Sequence, residues 1–117
     1  MTNQLTRLER LRAEVTHTRT LVADLKAIAG ATPSTQFRQL IDEAETKLAN
    51  LQGELATLTG EVTKAVRLTL TKPQMIVVLA HEVEGEPFAS IARRLKRSVW
   101  RTRDLHKQGV KLLTAAR

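Results

Sequence analysis

Two long stretches of the sequence repeat an apolar residue at alternating intervals of three and four positions, which constrains the fold more than any other feature. The first stretch contains Leu8, Leu11, Val15, Thr18, Val22, Leu25 and Ala29. The second contains Phe37, Ile41, Ala44, Leu48, Leu51, Leu55, Leu58, Val62, Ala65 and Thr69. This spacing aligns side chains along one side of an α-helix and is typical of coiled coils. We therefore predict two helices, each burying this stripe, which we call its apolar seam.

The segment between the two seams, "GATPST", predicts a break in the helix. Gly30 suits a helix C-cap, and Thr32 or Ser34 suits the N-cap of the next helix. A link this short favours an antiparallel helical hairpin. We predict that residues 1–70 form this coiled-coil hairpin and mediate oligomerisation. The alternative is that the hairpin only completes a single helical bundle.

Composition supports a helical protein outside the membrane. The chain has no cysteine and only three aromatic residues, Phe37, Phe88 and Trp100, so its core must consist mainly of aliphatic side chains. No apolar stretch approaches the ~20 residues that a bilayer-spanning helix needs. The charged N-terminus does not resemble a signal peptide. We expect a cytoplasmic location and no membrane partner.

The segment after residue 70 begins with a helix-start signal. "TKPQ" places Thr71 three residues before Gln74, the spacing of a capping box. The following helix is expected to end near Glu84 and Gly85. Its predicted buried stripe consists of Met75, Ile76, Val78, Leu79 and Val83.

The last part of the sequence predicts two further helices separated by a tight turn. In the first, Phe88, Ile91, Ala92 and Leu95 share one face; in the second, Thr102, Leu105 and either Leu112 or Leu113 point inward. Ser98 is the expected N-cap of the second helix. A small residue at Ala92, where the two helices cross, fits a helix-turn-helix. Lys96 occupies the turn position that is more often Gly and would have to accept a left-handed backbone. The predicted fold is all-α: the hairpin, then a three-helix helix-turn-helix domain over residues 71–117.

Positive charge is concentrated at the same end of the chain. The net charge is +7, and the residues from Phe88 onward include nine Lys or Arg and one acidic residue. Such asymmetry favours a polyanionic partner. The alternative is a solvated face that only keeps the protein soluble.

A helix-turn-helix assigns these charges to two kinds of DNA contact. The second helix is expected to present to the major groove Ser98, Val99, Trp100, Arg103, Asp104 and Lys107. The expected phosphate contacts are Arg93, Arg94, Lys96, Arg97, Arg101 and Lys111. Trp100 has the alternative role of packing across the domain or a dimer interface.

The C-terminal sequence resembles known DNA-binding domains. In "LTKPQMIVVLAHEVEGEPFASIARRLKRSVWRTRDLHKQGVKLL", a helix beginning near "LT..Q" precedes "IA..L", a turn and a serine-led helix. This order is similar to region 4 of sigma factors and to LuxR-type domains. It looks most like small phage late transcription regulators of the ArpU/RinA-like group, which end in an "S…LH..AL"-type segment. Ser98, Leu105 and His106 match this segment, whereas Gly109 and Val110 stand where it has Ala and Leu. The resemblance implies a DNA-binding transcription regulator, encoded by a phage or prophage.

No motif in the sequence indicates an enzyme. The histidines, His17, His81 and His106, are far apart in sequence and have no metal-ligand spacing. We therefore expect no metal, cofactor or small-molecule substrate. The expected partners are double-stranded DNA and a second copy of the chain, with RNA polymerase as a possible contact in activation. Two alternatives stay open: a small terminase subunit for viral DNA packaging, which would form rings, and a structural coiled-coil adaptor with a basic end.

Overall fold

A computed structural model describes residues 2–31 and 34–115 of the chain. Its elements, in chain order, are α1 (Thr2–Ala31), α2 (Thr35–Thr69), α3 (Lys72–Val78), a π-helical turn (Leu79–Val83), α4 (Phe88–Leu95) and α5 (Val99–Ala115). No strand occurs within the described ranges, and the all-α prediction is confirmed.

The chain divides into two compact units. One consists of Arg10–Thr57, and the other of Met1–Glu9 together with Leu58–Arg117. The prediction of separate domains at residues 1–70 and 71–117 stays a prediction.

The long helices α1 and α2 pack together. Within the first unit, Lys26 Nζ of α1 lies 3.6 Å from Glu45 Oε1 of α2. Within the second unit, Gln4 Nε2 donates to Glu61 Oε2 over 3.3 Å. Gln4, near the start of α1, thus contacts α2 at Glu61, and Lys26, near the end of α1, contacts α2 earlier, at Glu45. This order is that of an antiparallel helix pair.

Burial follows the predicted apolar seams. The fully buried members of the predicted set are Leu8, Leu11, Val15, Thr18, Val22, Ala44, Leu51, Leu58 and Val62. The remaining members are half-buried. Two buried residues were not part of the prediction: Leu5, which extends the α1 seam by one step, and Val66, which is 0% exposed.

The link between α1 and α2 differs from its prediction at Gly30. The predicted C-cap there is wrong, because α1 continues through Gly30 to Ala31. Among the described glycines, only Gly85 has a positive φ, so Gly30 keeps an ordinary backbone. Ser34 caps α2 as predicted: its Oγ accepts the Gln36 N–H over 3.2 Å. Thr32, the alternative cap, lies outside the described residues.

The start of α3 confirms the capping box. The Thr71 backbone N–H donates to Gln74 Oε1 over 3.1 Å. The predicted stripe after it is partly wrong, since Ile76 is 37% exposed whereas Val77 is fully buried. The buried residues of α3 and the π-helical turn are Gln74, Val77, Val78 and Ala80. Gln74, Val77 and Val78 follow ordinary helical spacing within α3, so the prediction placed the stripe on the wrong face of this helix.

A small apolar core lies beneath the three C-terminal helices. Its buried residues are Val77, Ala80, Ile91 and Leu105, with Phe88 and Leu95 packed against them. Helix α5 also approaches α3 closely at Gly109, where a Cβ atom would lie 2.7 Å from Val78 Cγ2. This packing fixes the orientation of α5 within its unit.

Candidate nucleic-acid interface

The turn between α4 and α5 forms a Schellman motif around Lys96. Lys96 has φ 55° and ψ 44°, the left-handed conformation that its place in the sequence required. Its N–H donates to the Arg93 carbonyl over 3.3 Å, and the Arg97 N–H donates to the Ala92 carbonyl over 3.0 Å. These two bonds satisfy carbonyls at the end of α4 and reverse the chain sharply. The predicted break between the helices is confirmed.

Ser98 is the N-cap residue of α5, as predicted. Its Oγ accepts the Arg101 N–H over 3.0 Å, the bond of a helix N-cap. Its carbonyl accepts both the N–H and the Oγ1 hydroxyl of Thr102, each over 3.0 Å. Because its hydroxyl is satisfied in this way, Thr102 can lie fully buried on the inward face where it was predicted.

The inner faces of the two helices meet as a helix-turn-helix requires. Ile91 is 0% exposed, Ala92 3% and Leu105 2%. Of the two alternatives near the end of α5, Leu113 is buried and Leu112 is 44% exposed. The apolar side of this segment is thus used in internal packing.

The opposite face of α5 carries cationic side chains. Its exposed residues recur at helical spacing: Trp100, Arg103, Lys107 and Lys111. Trp100 is 74% exposed, so packing within its own chain does not account for it. The guanidinium carbon Cζ of Arg103 lies 5.7 Å from the centroid of the Phe88 ring, so the charged end of the side chain rests near α4 while the residue stays exposed.

Two of the predicted phosphate contacts are already engaged in ion pairs. Arg94 pairs with the Glu86 carboxylate, which also accepts the Ser90 hydroxyl over 3.0 Å. Arg101 Nη1 lies 2.9 Å from Asp104 Oδ2. Both pairs are partly exposed, where an ion pair contributes only about 0–1 kcal/mol. A phosphate can therefore compete for either arginine.

The remaining predicted site residues lie around the turn and along the outer face of α5. The exposed ones are Arg93, Lys96, Arg97, Ser98, Trp100, Arg103 and Lys107. Val99 is 39% exposed beside the turn. Asp104 is half-buried and hydrogen-bonded to Arg101 and Gln108, so its carboxylate is less available for a major-groove contact than predicted.

A cluster of rings near the interface was not expected from the sequence. His81 stacks on Phe88 with centroids 3.9 Å apart, and His106 meets both rings edge-on at 5.0 and 5.1 Å. His106 Nε2 lies 2.7 Å from Glu82 Oε1. His81 and His106 are 25 positions apart in the sequence, so their contact could be predicted only from the way α5 packs.

Comparison with known proteins finds no matching family model, no matching curated protein and no matching solved structure. Among the described helices, none is both long and apolar enough to cross a membrane.

Proposed function

We propose that the chain is a sequence-specific double-stranded DNA-binding transcription regulator, of phage or prophage type, that acts as a dimer with α5 in the major groove. One observation carries the proposal. Helix α5 buries its apolar side against α3 and α4 and leaves Trp100, Arg103 and Lys107 exposed on the opposite side. A recognition helix needs this division of its two faces.

The position of each cation assigns its role. Arg103 stands in the second turn of α5, where a guanidinium can pair bidentately with guanine. Arg93, Lys96 and Arg97 surround the turn, where they can contact phosphates and set the orientation of the protein. Trp100 can meet the methyl group of a thymine with its exposed ring. Arg94 and Arg101 would reach phosphates only by leaving their carboxylate partners.

The proposed dimer follows from the helical hairpin. In the unit Arg10–Thr57, Leu21, Ile28 and Leu40 are each close to half exposed, an apolar surface that a second copy can cover. A two-fold dimer would present two recognition helices about 34 Å apart, one turn of B-DNA. RNA polymerase would be a further partner if the regulator activates transcription.

Arg103→Ala and Arg19→Ala test the base-contact role as a matched pair. Both remove one exposed arginine and one positive charge, but Arg19 lies on α1. We expect Arg103→Ala to reduce discrimination at one base pair of each half-site by about 1–3 kcal/mol. Arg19→Ala should leave that discrimination unchanged. The measurement is fluorescence anisotropy with selected and single-mismatch duplexes at several salt concentrations.

The same titrations can exclude the proposal. Equal losses on every duplex with Arg103→Ala would assign this residue to phosphate contact instead. If the wild-type chain binds selected and random duplexes equally, sequence-specific recognition is ruled out. If no duplex binds even at low salt, DNA is not the partner, since phosphate contacts are strongest there.

A further inference from the structure

A second candidate site lies on the inner side of α5, in the ring cluster that Arg103 also approaches through Phe88. His81 and Glu82 belong to the π-helical turn, and His106 belongs to α5. One ligand atom from each of the three residues lies within 4.8 Å of the other two. All three side chains are half-buried; those of His106 and Glu82 are 19% and 12% exposed. The π-helical turn and α5 thus bring two imidazoles and a carboxylate together in a shielded place.

Hydrogen bonding fixes how His81 can act as a ligand. Its Nδ1 lies 2.9 Å from the Glu86 carbonyl oxygen, which can only accept a hydrogen bond. In the neutral imidazole, Nδ1 therefore carries the proton and Nε2 has the lone pair that a metal ion needs. Stacking on Phe88, with an interplanar angle of 14°, holds the plane of the ring. A metal-binding histidine usually donates a hydrogen bond to a carbonyl from one ring nitrogen and binds the metal through the lone pair of the other.

We propose that His81, Glu82 and His106 bind a divalent transition-metal ion of the Zn²⁺ class. Two histidines, one carboxylate and a water complete a tetrahedral set that Zn²⁺ accepts. Mg²⁺ and Ca²⁺ favour sets made of oxygen ligands and fit these imidazoles poorly. With Zn–N bonds of about 2.0–2.1 Å, tetrahedral ligands lie roughly 3.4 Å apart. The widest pair of ligand atoms, within 4.8 Å of one another, would close by up to about 1.4 Å, while His106 Nε2 and Glu82 Oε1, now 2.7 Å apart, would separate slightly.

Binding of the ion displaces a proton from Nε2 of His106. In the present arrangement the carboxylate of Glu82 accepts a hydrogen bond from His106, so Nε2 of His106 carries a proton. The ion would take the place of that proton between the imidazole and the carboxylate. In a neutral imidazole the proton moves to Nδ1, so the ring stays neutral and binds the ion through the lone pair of Nε2.

The ion would link two elements within one compact unit. It would join the π-helical turn to α5 through side chains that already make one hydrogen bond, between Glu82 and His106. Because an ion that binds only the folded state stabilises it, the melting temperature should rise with its concentration. None of the three ligands lies on the outer face of α5. Substitutions at the ligands therefore leave the proposed DNA-contacting side chains in place, and metal binding is measured without DNA.

The test uses the untagged full-length chain, freed of metal with a chelator and titrated with Zn²⁺ in a calorimeter. We expect one ion per chain and a rise in melting temperature. His81→Gln and His106→Gln should each weaken binding by more than the roughly 10–100-fold caused by loss of a supporting residue. His17→Gln is the matched control, since His17 is exposed on α1, and should bind as the wild type does.

Each other outcome overturns the proposal. No binding at ordinary micromolar Zn²⁺, or equal weakening by His17→Gln, would mean an adventitious surface ion only. If His106→Gln does not fold, Glu82→Gln and His81→Gln decide the matter, and unchanged affinity in both excludes the site. Replacement of Zn²⁺ by Co²⁺ adds a spectroscopic readout: the strong visible absorption of tetrahedral Co²⁺ should appear in the wild type and be lost in His81→Gln.

Discussion

At the scale of single residues, the turn between α4 and α5 places a lysine where the backbone favours glycine. Lys96 adopts φ 55° and still forms the Schellman hydrogen bonds. A side chain with a Cβ atom in this conformation costs about 1–2 kcal/mol. The cost is understandable if the cation is needed at this place, because Lys96 lies beside Arg93 and Arg97 in the proposed phosphate-binding group.

Lys96→Gly should therefore affect stability and DNA binding in opposite directions. We expect the free energy of unfolding to rise by about 1 kcal/mol and affinity for any duplex to fall. Lys107→Gly is the control, because it introduces glycine into the interior of α5 and should lower the free energy of unfolding by about 1 kcal/mol. Urea unfolding followed by circular dichroism measures both. A similar loss of stability in the two variants would refute the idea of a strained turn.

Gly109, within α5, is a position where replacement of glycine should lower stability. Its missing side chain allows α3 and α5 to approach, and a Cβ atom would meet the fully buried Val78 at 2.7 Å. Gly109→Ala should lower the free energy of unfolding by about 1 kcal/mol, since crowding outweighs the gain in helix propensity. Gly53→Ala, with nothing within 4 Å of the added atom, should raise it by up to about 1 kcal/mol. Thermal melts of the two variants should shift in opposite directions, and a rise for both would contradict the packing argument.

At the scale of elements, the seam of α2 gives the clearest distinction between buried and exposed leucines. Leu58 is 2% exposed and Leu68 79% exposed on the same helix. Leu58→Ala should destabilise the chain by about 2–5 kcal/mol because it leaves a cavity. Leu68→Ala should change stability by no more than about 0.5 kcal/mol. Urea midpoints measure the difference, and equal midpoints would show that the seam is not the packed side of α2.

The sequence predicted these elements well where regular periodicity controls burial. The seams of α1 and α2, the capping box before α3, and the cap at Ser98 all follow from local patterns. The errors occur where the local pattern is ambiguous. The continuous apolar run from Met75 to Leu79 fits more than one face of a helix, so burial was assigned to Ile76 instead of Val77. Helix α1 continued through Gly30 because a glycine alone does not end a helix.

The candidate site was predictable only in part, for a related reason. Exposure of Arg103 and Lys107 follows from the helical period of α5 once its buried face is known. Pairing of Arg94 with Glu86 and the meeting of His81 with His106 depend on how separate elements pack. Sequence spacing carries no information about such contacts.

At the scale of the whole molecule, the account predicts a dimer in solution. The exposed apolar residues of the unit Arg10–Thr57 give a second copy a surface to cover. Leu40→Asp, at a position 47% exposed, should convert the dimer to a monomer without unfolding it. Analytical ultracentrifugation together with circular dichroism measures both properties. A wild-type monomer would contradict the dimer, and a larger ring would favour the packaging alternative.

We propose that the outer face of α5 recognises a particular DNA sequence. Selection of binding sites from a random pool of duplexes, followed by sequencing of the bound fraction, is the decisive experiment. We expect enrichment of one motif made of two inverted half-sites with centres about 10–10.5 base pairs apart. A bound fraction with the same composition as the starting pool would contradict it.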